Sequence, residues 1–131
     1  MTLRELVDTI ARERGWTTDG ERGPFSFSVP QGPGRHQVVT LTEFKDDSEA
    51  MVRFTTRIGR VGRLEDPRLR TALELNYRLP HGCLAVEGED LLMTDTRPLR
   101  TTTPKSSGDA IHSIARQADV YEKSIFGTDI H

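Results

Sequence analysis

Residues 73–86 read LELNYRLPHGCLAV, and this stretch decides how the second half of the chain is organised. Its leucine-rich part predicts a helix that begins at Asp66-Pro67 and runs to about Arg78, because aspartate caps helices and proline fits their first turn. Residues 80–82 then predict a tight turn, and residues 83–86 predict a short apolar strand. The stretch therefore predicts a helix, a turn and a strand in immediate succession.

Downstream of this stretch the pattern predicts one more strand and a closing helix. Leu91 to Thr94 form the strand, and the polar turn 87–90 joins it to the previous one, so the two are expected to pair as a hairpin. The helix covers about Gly108 to Phe126, with Ser106 as its cap. Its apolar residues recur at helical spacing on one face, at Ile111, Ile114, Ala115, Ala118, Tyr121 and Ile125.

Upstream of residues 73–86, alternation of apolar and polar residues predicts three strands. Phe25, Phe27 and Val29 alternate with serines, which is the period of a strand with one buried face. Short polar turns separate the strands, so they are expected to pair as an antiparallel meander. The three strands lie at residues 25–29, opened by residues 16–18, at residues 36–44 and at residues 51–58.

The N-terminal segment predicts a helix over residues 3–14. Thr2 and Glu5 have the spacing of a capping box, in which each side chain accepts a hydrogen bond from the other residue's backbone N–H. The apolar residues repeat at helical spacing and are Leu3, Leu6, Val7, Ile10 and Ala11. Charged residues fill the opposite face, so this helix is expected to pack on a core with one side.

Together these elements predict an α+β fold with the order α-β-β-β-α-β-β-α. An antiparallel sheet of five strands needs one face covered, and the helices at both ends of the chain can cover it. The chain has 131 residues and is expected to form a single domain over residues 1–131. A domain of this length can fold without a disulfide or a metal.

Charge and composition favour a cytoplasmic protein. The net charge is −2, which is neither the strongly basic balance of many nucleic-acid-binding proteins nor a strongly acidic one. Cys83 is the single cysteine, so no disulfide framework can form within the chain, and a reducing compartment is expected. No apolar run approaches the ~20 residues of a membrane helix, and the first residues lack the features of a signal peptide.

No motif in the sequence predicts catalysis. None of the four histidines has another histidine two to four positions away, which is the spacing that metal sites often use. Cys83 follows His81 by two positions, but a cysteine at the start of a strand is expected to pack and not to react. The prediction is a protein that is not an enzyme, with no catalytic residue, no metal site and no cofactor.

A cluster of arginines is the first candidate contact surface. It extends from Arg53 to Arg70 and includes few acidic residues. Its first four members are the candidate contacts for an anionic partner, either nucleic acid or an acidic protein surface: Arg53, Arg57, Arg60 and Arg63. The other interpretation is a solvated strand face, whose charges discourage aggregation at a sheet edge.

The helix that begins at Asp66 is the second candidate surface. Leu69, Leu73 and Tyr77 lie on its apolar stripe, and Leu75 falls outside that stripe, so the helix has more apolar surface than one packing face requires. Surplus apolar surface on a soluble domain indicates a second subunit or a protein client. The alternative is that all four side chains pack inside the domain.

Two stretches of this sequence, together with the predicted order of elements, resemble the type III secretion chaperone-like superfamily and its YbjN-type relatives. The first is residues 73–86, where a leucine-rich helix with an asparagine near its end passes through a glycine turn into a small apolar strand. The second is residues 114–122 of the closing helix. The resemblance covers the whole chain in topology and is concentrated after residue 66 at the level of residues.

The resemblance implies a bacterial, non-enzymatic protein that forms a homodimer and binds a protein client. The role would be that of a chaperone-like adaptor or of a YbjN-type regulator of sensory transduction and stress responses, and the regulator is favoured. No membrane partner is implied. The alternative is a nucleic-acid-associated protein, which would act directly through the arginines or by binding a nucleic-acid-handling partner.

Overall fold

The computed structural model describes residues 1–63 and 66–126. These ranges contain the helices α1 (Leu3–Arg14), α2 (Asp66–Asn76) and α3 (Pro104–Ile125). They also contain the strands β1 (Thr17–Asp19), β2 (Phe25–Gly32), β3 (Arg35–Asp46), β4 (Glu49–Arg60), β5 (Cys83–Glu87) and β6 (Asp90–Pro98). Short 3-10 turns follow β4 and β6, at Val61–Arg63 and Leu99–Thr101.

All of these strands form one antiparallel sheet in the order β1-β2-β3-β4-β6-β5. β2, β3 and β4 pair consecutively, β6 then pairs with β4, and β5 lies at the edge beyond β6. The α+β class is confirmed, and so is the predicted succession of helices and strands apart from one additional edge strand. Because α2 connects β4 to the edge strand β5, it lies beside that edge and not over the middle of the sheet.

The sheet contains one strand more than the sequence predicted. β1 is a separate edge strand that pairs with β2 from Thr17↔Ser28 to Asp19↔Ser26. Gly20 turns the chain after β1 with a φ of 108°, a conformation that glycine tolerates far better than other residues. β1 has only three residues, which is too short to show an alternation of its own, so the sequence merged it with β2.

The helices α1 and α3 bury one face of the sheet. The helical and strand periods bring the apolar residues of each element to the same side. Leu6 and Ile10 of α1, and Ile111 and Ile114 of α3, are completely buried. The fully buried strand residues that complete this core are Phe27, Val29, Val39, Leu41, Val52, Phe54 and Met93.

The alternate strand positions form the opposite surface of the sheet, called here the open face. They are mainly hydroxyl-bearing residues, and in β3, β4 and β6 they are partly or fully exposed. The central residues of the open face are Thr40, Thr42 and Phe44 of β3, Met51, Arg53 and Thr55 of β4, and Leu92, Thr94, Thr96 and Pro98 of β6. Period-two alternation therefore gives the sheet one dry side and one wet side.

Both outer helices begin at capping boxes, but only one lies where the sequence predicted it. In α1, Glu5 N–H donates to Thr2 Oγ1 at 3.1 Å and Thr2 N–H donates to Glu5 Oε1 at 2.8 Å, as expected. In α3 the cap is Thr103 and not the predicted Ser106. The Ser106 side chain instead accepts the second hydrogen bond of the capping box, from the Thr103 N–H. The helix begins earlier than predicted because Thr103 precedes a proline, Pro104, that fits the first helical position.

Candidate functional site: the groove between α2 and β5

An apolar groove opens between α2 and the edge strand β5. Its volume is about 260 Å³. Leu73 is 68% exposed and Val86 is 55% exposed, so the groove is open to solvent at its rim. Its lining residues are Val61, Leu69, Ala72, Leu73, Leu84, Ala85, Val86 and Leu91, all of them apolar. This α2–β5 groove is suited to an apolar side chain of a partner and not to a charged ligand.

α2 packs through only part of its predicted apolar stripe, together with one residue outside that stripe. Ala72 is buried, and Leu75, which lies off the predicted stripe, is half-buried and packs against the core. Leu69 is half-buried in the wall of the groove, whereas Tyr77 is 95% exposed and Leu73 lies at the rim. Since Leu75 is used inside the protein, Leu73 and Tyr77 are the contact candidates that the fold leaves most available.

Asn76 fastens the end of α2 to β5. Its Nδ2 donates to the Leu84 carbonyl oxygen at 3.0 Å, and the Leu84 N–H donates to its Oδ1 at 2.6 Å. The amide side chain thus satisfies both backbone groups of Leu84 on the side that a further strand would otherwise occupy. The contact joins the C-terminal end of α2 to β5 and blocks that part of the sheet edge.

The predicted arginine contacts differ in whether a carboxylate of the protein already pairs with them. Arg57 pairs with Asp90 at 2.8 Å and Arg60 with Glu89 at 3.6 Å. Arg53 lies on the same face of β4 as Arg57, and its Nε is 3.2 Å from Thr96 Oγ1. Later members of the cluster are also engaged, because Arg68 donates to the Ile125 carbonyl and Arg70 lies 3.7 Å from Glu74. For Arg63 and for Asp66, the predicted α2 cap, the structure describes the backbone and not the side chain.

A smaller cleft of about 230 Å³ lies where α3 begins, and His81, Arg97, Ser106, Asp109 and Ala110 line it. Its charged groups are paired: Asp109 accepts from Arg14 at 2.7 Å and from Lys105 at 3.1 Å, and Arg97 lies 3.1 Å from Asp95. The hydrogen bond from Arg14, with that from Lys105, lowers the pKa of Asp109 below its ordinary value. Asp109 is therefore an ionised structural acceptor at neutral pH, which is not the state of a general acid.

The described ranges lack two other features that would indicate a function. Among the described residues there is no group of three or more histidine, cysteine or carboxylate side chains that could hold a metal ion. No helix in those ranges is both long and apolar enough to cross a membrane.

Solved structures of other proteins share this fold. A chain of the Yersinia pestis structure of the type III secretion chaperone SycH, solved with a stable fragment of YscM2, matches with a TM-score of 0.63 at 17% identity, over 91% of this chain and 98% of that chain. A chain of the ExsC–ExsE complex matches with a TM-score of 0.68 at 10% identity, over 95% and 97%. This chain has the type III secretion chaperone fold. A chain of the HopA1–SchA chaperone–effector complex also has it, with a TM-score of 0.63 at 7% identity over 92% of both chains.

No family model and no curated protein sequence matches the chain. The three structural matches have at most 17% identity, so they establish the chaperone fold and leave the function to be argued from the site.

The sequence indicated some parts of the site and missed others. The sequence pattern predicts Leu73 and Tyr77 as surplus apolar residues. It shows an asparagine near the end of the helix, Asn76, but predicts no contact for its side chain. An asparagine in the last turn of a helix, followed by a glycine turn and an edge strand, was the available signal for the Asn76–Leu84 contact. The pairing of the arginines with distant carboxylates could not be found in the same way, because Asp90 and Arg57 are neighbours only through the sheet.

Proposed function

We propose that this chain is a non-enzymatic protein-binding module that works as a homodimer in the cytoplasm. The observation that carries the proposal is the α2–β5 groove, an apolar surface left open beside a core that is already filled. Apolar area in water gains free energy when another protein covers it. The fold supports the same role, since two of the similar structures are described as a chaperone bound to another protein and a chaperone–effector complex.

The proposed occupant of the groove is a second copy of this chain. In a two-fold dimer both copies use the same surface, so an exposed apolar side chain of one copy can enter the groove of the other. Leu73 and Tyr77 lie on α2 beside the groove and supply such side chains. A specific dimer buries roughly 800 Å² per subunit, so α2 and β5 would contribute together.

The client-binding role is that of a chaperone-like adaptor or of a YbjN-type regulator of sensory transduction and stress responses. The fold supports the adaptor, and the resemblance of residues 73–86 and 114–122 to YbjN-type proteins supports the regulator. Affinity purification from the native cell, followed by mass spectrometry, separates the two. A secreted protein as the main client favours the adaptor, whereas a resident signalling or stress protein favours the regulator.

The dimer is tested by light scattering of the native protein and of Leu73→Asp. We expect the native protein to have twice the mass of one chain, and Leu73→Asp to be a folded monomer, because a carboxylate cannot be buried unpaired in an apolar contact. Val120→Asp is the matched control, since Val120 is a 49% exposed apolar residue on α3, away from the groove. A native protein that stays monomeric at high concentration, or a control that dissociates equally, contradicts this dimer.

Nucleic-acid association is the second candidate function, and Arg53 is the observation in its favour. Binding that neutralises several phosphates weakens steeply with salt, with a log–log slope near −0.9 per phosphate. Fluorescence anisotropy with a labelled single-stranded oligonucleotide at about 50 mM and 200 mM salt measures that slope. Binding that is absent at low salt, or insensitive to salt, removes direct nucleic-acid binding and leaves only a role through a nucleic-acid-handling partner.

A further inference from the structure

The open face of the sheet carries an ordered array of side chains around one arginine. Strand register places residues of β3, β4 and β6 side by side in rows. In order along the strands, the rows are an apolar row of Phe44, Met51 and Pro98, an arginine row of Thr42, Arg53 and Thr96, and a threonine row of Thr40, Thr55 and Thr94. A positive charge is thus flanked by hydroxyl groups on both sides and by apolar side chains at one end.

Arg53 is held in place while its charge has no carboxylate partner. Its Nε donates to Thr96 Oγ1 at 3.2 Å, and its guanidinium carbon lies 4.4 Å from the centre of the Phe44 ring. These two contacts orient the planar guanidinium and leave its terminal N–H groups available. Within residues 1–63 and 66–126, no carboxylate forms an ion pair with Arg53.

Arg57 shows that this state is specific to Arg53 and not a property of the strand. Both arginines are exposed residues of β4 on the open face. Arg57, however, donates from Nε to Asp90 Oδ1 at 2.8 Å, so its charge is already neutralised within the protein. The chain therefore supplies a matched pair of arginines, one paired and one free to bind an anion.

The dimensions of the array match a short extended peptide. Rows on one face of a strand are about 7 Å apart and neighbouring strands about 4.8 Å apart, so the three rows cover about 14 Å by 10 Å. Alternate side chains of an extended peptide have the same spacing of about 7 Å on one side. A carboxylate placed on Arg53 therefore brings the side chain two positions away over the apolar row.

We propose that the open face binds a client segment in which an acidic residue lies two positions from an apolar residue. The carboxylate forms a bidentate contact with the Arg53 guanidinium, and the apolar side chain packs on Met51 and Pro98, which the guanidinium does not cover. This inference rests on the proposed protein-binding function and adds the chemistry of the client. It uses a surface separate from the α2–β5 groove, so a dimer formed through the groove leaves the array available.

The array fits an acidic peptide better than a nucleic acid. Nucleic-acid affinity comes from many phosphate contacts, and this surface offers one unpaired cation on a chain of net charge −2. Single-stranded bases also need exposed aromatic rings on which to stack. The Phe44 ring is half-buried and is already covered by the Arg53 guanidinium, so it does not provide such a platform.

The test is a selection of random seven-residue peptides displayed on phage against the immobilised native protein. We expect enriched peptides to carry aspartate or glutamate two positions from an apolar residue. A fluorescein-labelled peptide from the enriched pool is then titrated with the native protein, Arg53→Gln and Arg57→Gln. We expect about a tenfold or greater loss of affinity for Arg53→Gln, which removes a charge-assisted contact, and less than about a twofold change for Arg57→Gln.

Several outcomes overturn the inference. They are a selection that enriches no peptide, enriched peptides without an acidic residue, and equal losses for the two variants when their melting temperatures match that of the native protein. An oligonucleotide of twenty uridines that binds the native protein and not Arg53→Gln, with no peptide enriched, assigns the face to nucleic acid. If Arg53→Gln still captures the clients in affinity purification, the open face is not their binding site, and the protein-binding function stands. If the native protein captures no client, both proposals are wrong.

Discussion

The two sides of this molecule use their helices in opposite ways. α1 and α3 place nearly all of their apolar residues against the sheet, and Leu6, Ile10, Ile111 and Ile114 have no exposed surface. α2 is also rich in leucine, yet it buries little of its apolar surface and leaves Leu73 exposed beside an open groove. A helix of the first kind stabilises the monomer, and a helix of the second kind presents a surface to another protein.

The position of each helix relative to the sheet explains the difference. α3 lies across the broad face, where β2, β3, β4 and β6 contribute apolar side chains, and α1 packs beside it on α3 and β1. α2 packs mainly on the edge strand β5, so it has one narrow strip against which to bury apolar side chains. Asn76 compensates for this small contact with two hydrogen bonds to Leu84.

The largest change in stability is expected when a side chain under α3 is truncated to leave a cavity. We expect Ile114→Ala to lower the free energy of unfolding by about 2–5 kcal/mol, because Ile114 is completely buried and its truncation leaves a void. Urea denaturation measures the change, and it should be the same at all protein concentrations. A loss below about 0.5 kcal/mol, the level of ordinary surface substitutions, would show that the core is not where α3 packs.

The next largest effect is expected at the contact that holds α2 to β5. Asn76→Ala leaves the Leu84 N–H and carbonyl without their partner and should cost about 1–3 kcal/mol. Hydrogen exchange of the Leu84 amide should accelerate more than that of core amides in β3. Asn76→Asp is the control that retains the acceptor, so it should protect the amide better than Asn76→Ala. Unchanged exchange in both variants would mean that β5 is held by β6 alone.

A smaller effect separates the two leucines on α2. Leu75→Ala should lower stability by about 1–2 kcal/mol at every protein concentration, since this half-buried side chain packs on the core of its own chain. Leu73→Ala should have almost no effect at low concentration and a growing effect at high concentration, because a dimer contact stabilises by mass action. Thermal melting over a hundredfold concentration range measures both. The opposite assignment of the two residues would place Leu75 in the interface.

The smallest effect is expected at the ion pair between α1 and α3. The pKa of Asp109 is lowered by its hydrogen bond from Arg14, so its stabilising contribution is present above the ordinary carboxylate pKa near 4 and is lost as the pH falls further. The melting temperatures of the native protein and Asp109→Asn should therefore differ slightly at pH 7 and converge near pH 2. A difference that is constant between these values would show that the Asp109 charge is not involved.

Much of the fold was already determined by local sequence. The capping box at Thr2 and Glu5 and the alternation along β2 and β4 each arise within a few residues, so they predict their elements correctly. The Asp66-Pro67 pair likewise marks the residue at which α2 begins. The sequence predicts the closing helix but places its start too late, because its cap is one of several consecutive threonines before Pro104.

Only the tertiary structure decided which surfaces remain available. The sequence predicted surplus apolar residues on α2 but could not tell that Leu75 packs inward while Leu73 lies at a groove rim, since that depends on how α2 is rotated against β5. The sequence also predicts one cluster of arginines. In the sheet, however, Arg57 pairs with Asp90, whereas Arg53 on the open face has no carboxylate partner among the described residues. Helical and strand periods are properties of consecutive residues, whereas charge pairing and groove formation depend on residues that only folding brings together.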